Sequence, residues 1–194
     1  MRQWKDRVEG RGKRALRLLT QIALIAVTAL FCVTYLGFQV KVEGRSMAPA
    51  IEPDSTVLVN RISICFFEPS RFDTVAFWQG ASETEQGERD DLGGESRIFV
   101  KYVVGLPGET IQIRDGKIWI DGVSIDAEPY LDSISVAGLA EQPITLGEDE
   151  YFVLGANSGS SEDSRFATIG NVKKEQIIGK VWFRFHSFTD MSFI

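Results

Sequence analysis

Hydrophobic positions along the chain fall into two regimes. Residues 18–40 carry no charged side chain over 23 positions, whereas beyond them the apolar residues come in short runs separated by Gly, Pro and Asp. A helix over the first regime is about 34 Å long at 1.5 Å per residue, enough to cross a hydrocarbon core with some tilt. A cleavable leader has a shorter apolar stretch of about 7–15 residues, and no small-x-small site precedes Lys41, so a retained transmembrane anchor is expected over 18–40. The short runs that follow have strand length and β-branched character, at 56–61, 74–78, 98–104, 110–114, 117–120, 151–154 and 179–185. Between two of them Asp115-Gly116 is a two-residue turn that tolerates positive φ, which predicts a hairpin with Ile111, Ile113, Ile118 and Ile120 on one core face. Asp121-Gly122 marks the next turn. The expected fold class is mainly β, an antiparallel sheet domain over 41–194 preceded by one transmembrane helix. Segments 81–97 and 131–147 read as surface insertions, the first with six acidic and two basic residues.

Charge adds an orientation. Residues 1–17 hold Arg2, Lys5, Arg7, Arg11, Lys13, Arg14 and Arg17 against Asp6 and Glu9. Positive charge beside a span stays in the cytoplasm, so residues 1–17 are expected there, with the β domain on the extracytoplasmic side. That domain is acidic, which excludes nucleic acid as a partner, because phosphate binding needs concentrated Lys and Arg. Cys32 in the span and Cys65 in an ISICFF run cannot pair; each is expected to be a small buried apolar residue. With one histidine and no Cys or His cluster there is no zinc ligand set. The apolar stretch 62–67 and the aromatic residues Trp182, Phe183, Phe185, Phe188 and Phe193 are assigned mostly to the core, with some available to the headgroup region.

Candidate chemistry begins at Ser46. A serine in a GRSMAPAI loop (44–51) most often bonds a neighbouring amide, and as a nucleophile it needs a base. His186, in a strand-like run near the C-terminus, is read as structural or surface in preference to catalytic. Lysine is the other base, but its ordinary pKa of about 10.4 keeps it charged at neutral pH. Lys101 lies in the apolar run 98–104. Pointing inward, it would be desolvated, and a shift of about three units corresponds to roughly 4 kcal/mol against the ammonium. Pointing outward at a sheet edge, it would be an ordinary lysine, and this segment alone leaves both readings open.

Four motifs in order, following the apolar segment, carry a family resemblance. GRSMAPAI (44–51), RFDTVAFW (71–78), KYVVGLPGE (101–109) and GANSGSSEDSR (155–165) resemble the boxes of the type I signal peptidases, membrane-bound Ser-Lys peptidases that remove signal peptides from exported preproteins. The lysine box, usually KRxxGxPGD, and the final DSR of GDNxxxSxDSR are the specific parts. The resemblance implies Ser46 as nucleophile and Lys101 as base. It implies Ser161 as the hydroxyl that orients the lysine amine, and Asp163 with Arg165 as a structural ion pair near the site. The Ser46 backbone N–H is the first oxyanion donor. Some members take a second from a serine two residues earlier, which here is Gly44, leaving its backbone N–H or nothing. Substrates would be preproteins with small residues at the Ala-x-Ala positions, no metal or cofactor is required, and a monomer in a bacterial inner membrane is expected.

Three departures stand out: Ala156 replaces the usual aspartate, Ser158 a common arginine, and Tyr102 the basic residue after the lysine. They fall outside the proton-transfer positions. Other readings share parts of the pattern. A LexA-type self-cleaving repressor has the chemistry but a DNA-binding domain in place of the anchor. A dedicated peptidase of a conjugation or secretion system differs only in its substrate, and an inactive membrane-tethered binding module would have no need of both Ser46 and Lys101.

Overall fold

The computed structural model describes the backbone of residues 2–79, 97–187 and 190–194, and their side chains from residue 16 onward. Most of segment 81–97, and Phe188, lie outside the described residues. A helix α1, Arg2–Leu36, leads the chain. Its Leu16–Leu36 part is long and apolar enough to cross a membrane, and none of it is buried against the rest of the protein.

The helix stops four residues earlier than the uncharged run. Beyond Gly37 the chain turns into β1, Phe38–Lys41, whose Val40 is buried in the β domain. Hydropathy reads a lipid-facing helix and a core strand alike, so the two elements were fused in the expectation of a span over 18–40.

Eleven further strands follow: β2 Thr56–Asn60, β3 Thr74–Gln79, β4 Arg97–Gly105, β5 Thr110–Arg114, β6 Lys117–Ile120, β7 Val123–Ile125, β8 Ile144–Thr145, β9 Glu150–Leu154, β10 Val172–Lys173, β11 Ile177–Ser187 and β12 Asp190–Phe193. A four-residue helix α2, Ser63–Phe66, lies between β2 and β3. One sheet has the order β1-β2-β11-β3-β4-β9-β10, with β12 on the second half of β11; the other has the order β7-β6-β5-β8. Every pairing is antiparallel.

The hairpin forms as its turn requires. Asp115 and Gly116 have φ of 53° and 73°, the left-handed pair of a tight two-residue turn. Ile111 lies opposite Ile120 and Ile113 opposite Ile118, all four buried. They pack with Val57, Val100 and Phe152 of the larger sheet in the main core between the sheets. The other face of the larger sheet carries a second cluster that includes Val75, Phe77, Val103 and Ile177.

Three expectations change here. Segment 131–147 is not a surface insertion, because Leu131, Ile134, Ala140 and Leu146 enter the main core. Cys65 is exposed, not buried. Phe66, Phe67 and Phe193 are also exposed, while Trp182, Phe183 and Phe185 are half-buried.

Candidate active site

Lys101 sits where β4 loses a neighbour. Toward β3 the strand is paired along its length, Lys101 opposite Val75. Toward β9 pairing begins only at Tyr102, opposite Leu154, and β9 then turns away at Gly155. Strand alternation places Lys101 on the face of Phe99 and Val103, and its side chain is 2% exposed. The inward reading is therefore the correct one. Burial pushes the Lys101 amine down from 10.5 to about 8; the Asp163 and Glu162 carboxylates pull it upward, and the Arg165 guanidinium again lowers it.

Ser46 comes to this amine on a loop pinned from below. Met47 and Ile51 are buried in the main core, Ile51 N–H donates to Met47 O at 2.8 Å, and Asn157 N–H donates to Ser46 O at 3.0 Å. The Ser46 Oγ lies 2.6 Å from Lys101 Nζ. Gly44, exposed and with φ of +82°, takes the left-handed conformation that glycine permits at the entry to this loop. No acceptor among the described residues takes the N–H of Ser46 or of Gly44.

The remaining motif closes the floor. Asp163 and Arg165 form a fully buried two-point pair, Nε to Oδ1 at 2.8 Å and Nη2 to Oδ2 at 2.9 Å. Arg165 also donates to Val136 O at 3.0 Å and Ser158 O at 2.7 Å, and Asp163 Oδ2 accepts from Gly155 N–H at 3.2 Å. Ser158 donates its hydroxyl to Ser133 O at 2.7 Å, and Ala156 packs in the main core. Both departures from the box thus fit this chain's own 131–136 segment. Ser161 is buried, but its hydroxyl has no hydrogen-bond partner among the described residues, so the expected bond to the lysine amine is not made. It packs against Gly155, where a Cβ would run into Ser161 Oγ and Ser46 O.

Two features escaped the motifs as read from sequence. Arg71 makes a two-point pair with Glu109, at 3.1 and 2.6 Å, tying the box at 71 to the end of the lysine box; opposite charges at the ends of two motifs were the available signal. Glu162, exposed beside Lys101, had no signal beyond its place next to Ser161. His186 meets Ser55, 3.1 Å from Nδ1 to Oγ, away from Ser46.

A cleft of about 730 Å³ opens over the pair, walled by 39–46 on one side and 97–101 on the other, with Ser160 and Glu162 at one end. A hydroxyl bonded to a buried amine in an open cleft is suited to nucleophilic hydrolysis. The family described as signal peptidase, peptidase S26, matches residues 15–186. A signal peptidase I of Bacillus caldolyticus is 32% identical over 193 residues, covering 93% of this chain and 96% of that protein. One from Leptolyngbya laminosa is 32% identical over 164 residues, 84% of this chain and 76% of that protein. Among solved structures, a signal peptidase I from Enterococcus faecalis V583 aligns at 28% identity with a TM-score of 0.39, over 58% of this chain and 96% of that one. The chain belongs to the signal peptidase family, peptidase S26, serine endopeptidases that remove signal peptides.

Proposed function

We propose that this protein cleaves signal peptides from exported preproteins with Ser46 as nucleophile and Lys101 as its general base. One observation carries the reading: a 2.6 Å contact joins the Ser46 hydroxyl to an amine that burial has brought to a pKa of about 8. In its charged form the amine donates to Oγ. Once neutral, it accepts the hydroxyl proton while Oγ bonds to the scissile carbonyl carbon. The tetrahedral oxyanion meets the free N–H of Ser46, with the N–H of Gly44 as second donor. The ammonium then gives its proton to the departing amine, leaving an ester on Ser46. Water, deprotonated by the same amine, attacks that ester and restores the hydroxyl. While Oγ is esterified the amine loses its partner, and the buried, unpaired Ser161 hydroxyl is positioned to orient it. Asp163 and Arg165 hold the floor beneath. No step calls for a metal or cofactor.

The cleft suits an extended peptide. The outer edge of β1 and the 97–101 edge of β4 face each other across it without a strand between them, so a substrate strand can bond backbone to backbone. β1 follows the end of α1 directly, which sets the cleft beside a bilayer that α1 crosses. The basic first 17 residues place that end of the monomer in the cytoplasm and the β domain outside, in a bacterial inner membrane.

Purified in detergent and given a preprotein with an Ala-x-Ala site, the protein is expected to cut after the second alanine. Ser46→Ala and Lys101→Met should each abolish the cut while keeping the wild-type circular dichroism spectrum. Cleavage at the wild-type rate by either folded variant would reject the assignment.

A further inference from the structure

We infer that the bilayer crossed by α1 also holds the β domain by a second, apolar foot made of α2 and the C-terminal strand β12; this rests on α1 being a span. The observation is a set of large apolar side chains left uncovered at one place. Phe66 and Phe67 are 76% and 75% exposed, and Phe193 is 76% exposed with Ile194 at 42% beside it. A soluble face does not normally carry such a group of uncovered rings.

Their position names the occupant. Both segments are tied to the last turn of α1. Arg61 N–H, two residues ahead of α2, donates to Tyr35 O at 2.9 Å. On the other side Trp182 Nε1 donates to Leu36 O at 2.8 Å, and Ile194 N–H donates to Trp182 O at 3.1 Å. The ring of Phe193 packs edge-on against Phe183, 5.3 Å between centroids. Where α1 leaves a bilayer, these rings therefore lie at the level of the headgroups, a depth that favours aromatic side chains. Arg61, stacked over Phe38 at 5.2 Å, places a cation at that level. A single helix leaves the domain free to swing on Gly37. A second foot fixes its tilt, and with it the mouth of the cleft that starts at Gln39.

The two native cysteines supply the test, since Cys32 lies on α1 and Cys65 on α2, both exposed. Each is spin-labelled separately, in Cys65→Ser and Cys32→Ser proteins respectively, and the full chain is reconstituted into vesicles of phosphatidylethanolamine and phosphatidylglycerol. Collision with oxygen and with a water-soluble nickel complex is then read by EPR. A label at Val123→Cys, on the exposed tip of β7 and with both native cysteines replaced by Ser, reports the aqueous value. The inference expects the Cys65 label to favour oxygen, between the Cys32 and Val123 values. Phe66→Ser with Phe67→Ser should return it to the aqueous value. The same pair should raise KM for a vesicle-borne preprotein about tenfold, and leave cleavage of a soluble peptide in detergent unchanged. A water-like Cys65 beside a lipid-like Cys32 overturns the second foot and leaves the anchor standing. Shielding of Cys65 from both reagents means a protein partner and also overturns it. A water-like Cys32 removes the anchor reading itself, and the foot with it.

Discussion

A lysine that is 2% exposed destabilises the fold whenever it carries its proton. Lowering its pKa from 10.5 to about 8 corresponds to about 3 kcal/mol. Below about pH 8 folded and unfolded chains both hold the proton, so the penalty is present in full. Between 8 and 10.5 only the unfolded chain holds it, and stability rises with pH until the penalty is gone. Lys101→Met is therefore expected to unfold at higher urea concentration than wild type at pH 7, with the gap closing as pH climbs through that window. A gap that does not change with pH would mean that the amine is not the titrating group. Catalysis follows the same proton: kcat/KM should rise about tenfold per pH unit toward a plateau above about 8. Glu162, whose carboxylate favours the ammonium, tunes this limb, and Glu162→Gln should move it to lower pH. The Asp163–Arg165 pair carries the opposite lesson about buried charge. Asp163→Asn leaves a guanidinium buried with one neutral acceptor, and a loss of about 3–5 kcal/mol by urea melting is the expected result. Lys101 and Ser46 were legible as candidates because of their residue types and the boxes around them. Which way Lys101 points was not, since an apolar run reads the same whichever face carries the cluster.

At the scale of elements, Gly155 is the point where strand becomes site. A Cβ there would overlap Ser161 Oγ and, less forgivingly, the backbone carbonyl of Ser46, which also accepts from Asn157. Gly155→Ala should therefore move the Ser46 loop. Overpacking of this kind costs about 1–3 kcal/mol, while misplacing a nucleophile by about 1 Å costs on the order of a hundredfold in rate. The expected signature is a kcat far lower than the modest fall in melting temperature suggests; an active Gly155→Ala would show that the turn yields. Strands with a full alternating or apolar run were readable from the chain, and β5 and β6 were placed to the residue by the Asp115-Gly116 turn between them. β7, β8 and β10 are two or three residues long and carry too few side chains to show a period. β1 was hidden for a different reason. Four strand residues that follow an apolar helix without an intervening charge have nothing to mark the change of period.

For the whole molecule, that hidden boundary decides what can be cut away. No residue of α1 belongs to either core cluster, whereas Val40 of β1 and Val42 just beyond it do. Removing residues 1–36 deletes two acceptors, Tyr35 O for Arg61 N–H and Leu36 O for the Trp182 indole. Both donors are then open to water, and two such bonds are together worth about 2 kcal/mol at most. For a domain of this size that lowers the melting temperature by no more than about 8 °C. Starting instead at Lys41, where the uncharged run ends, strips β1 from β2 along three of its four paired positions and empties the space filled by Val40. The first version, kept in detergent for the rings around the helix exit, is expected to melt in one transition and to cleave a soluble Ala-x-Ala peptide at the full-length rate. The second should melt well below it or fail to fold, because the wall of the cleft that carries residues 39–40 goes with β1. Differential scanning calorimetry on the pair separates a helix that only anchors from a strand that builds the site: equal transitions would mean that β1 is dispensable, and that the cleft needs no wall on that side.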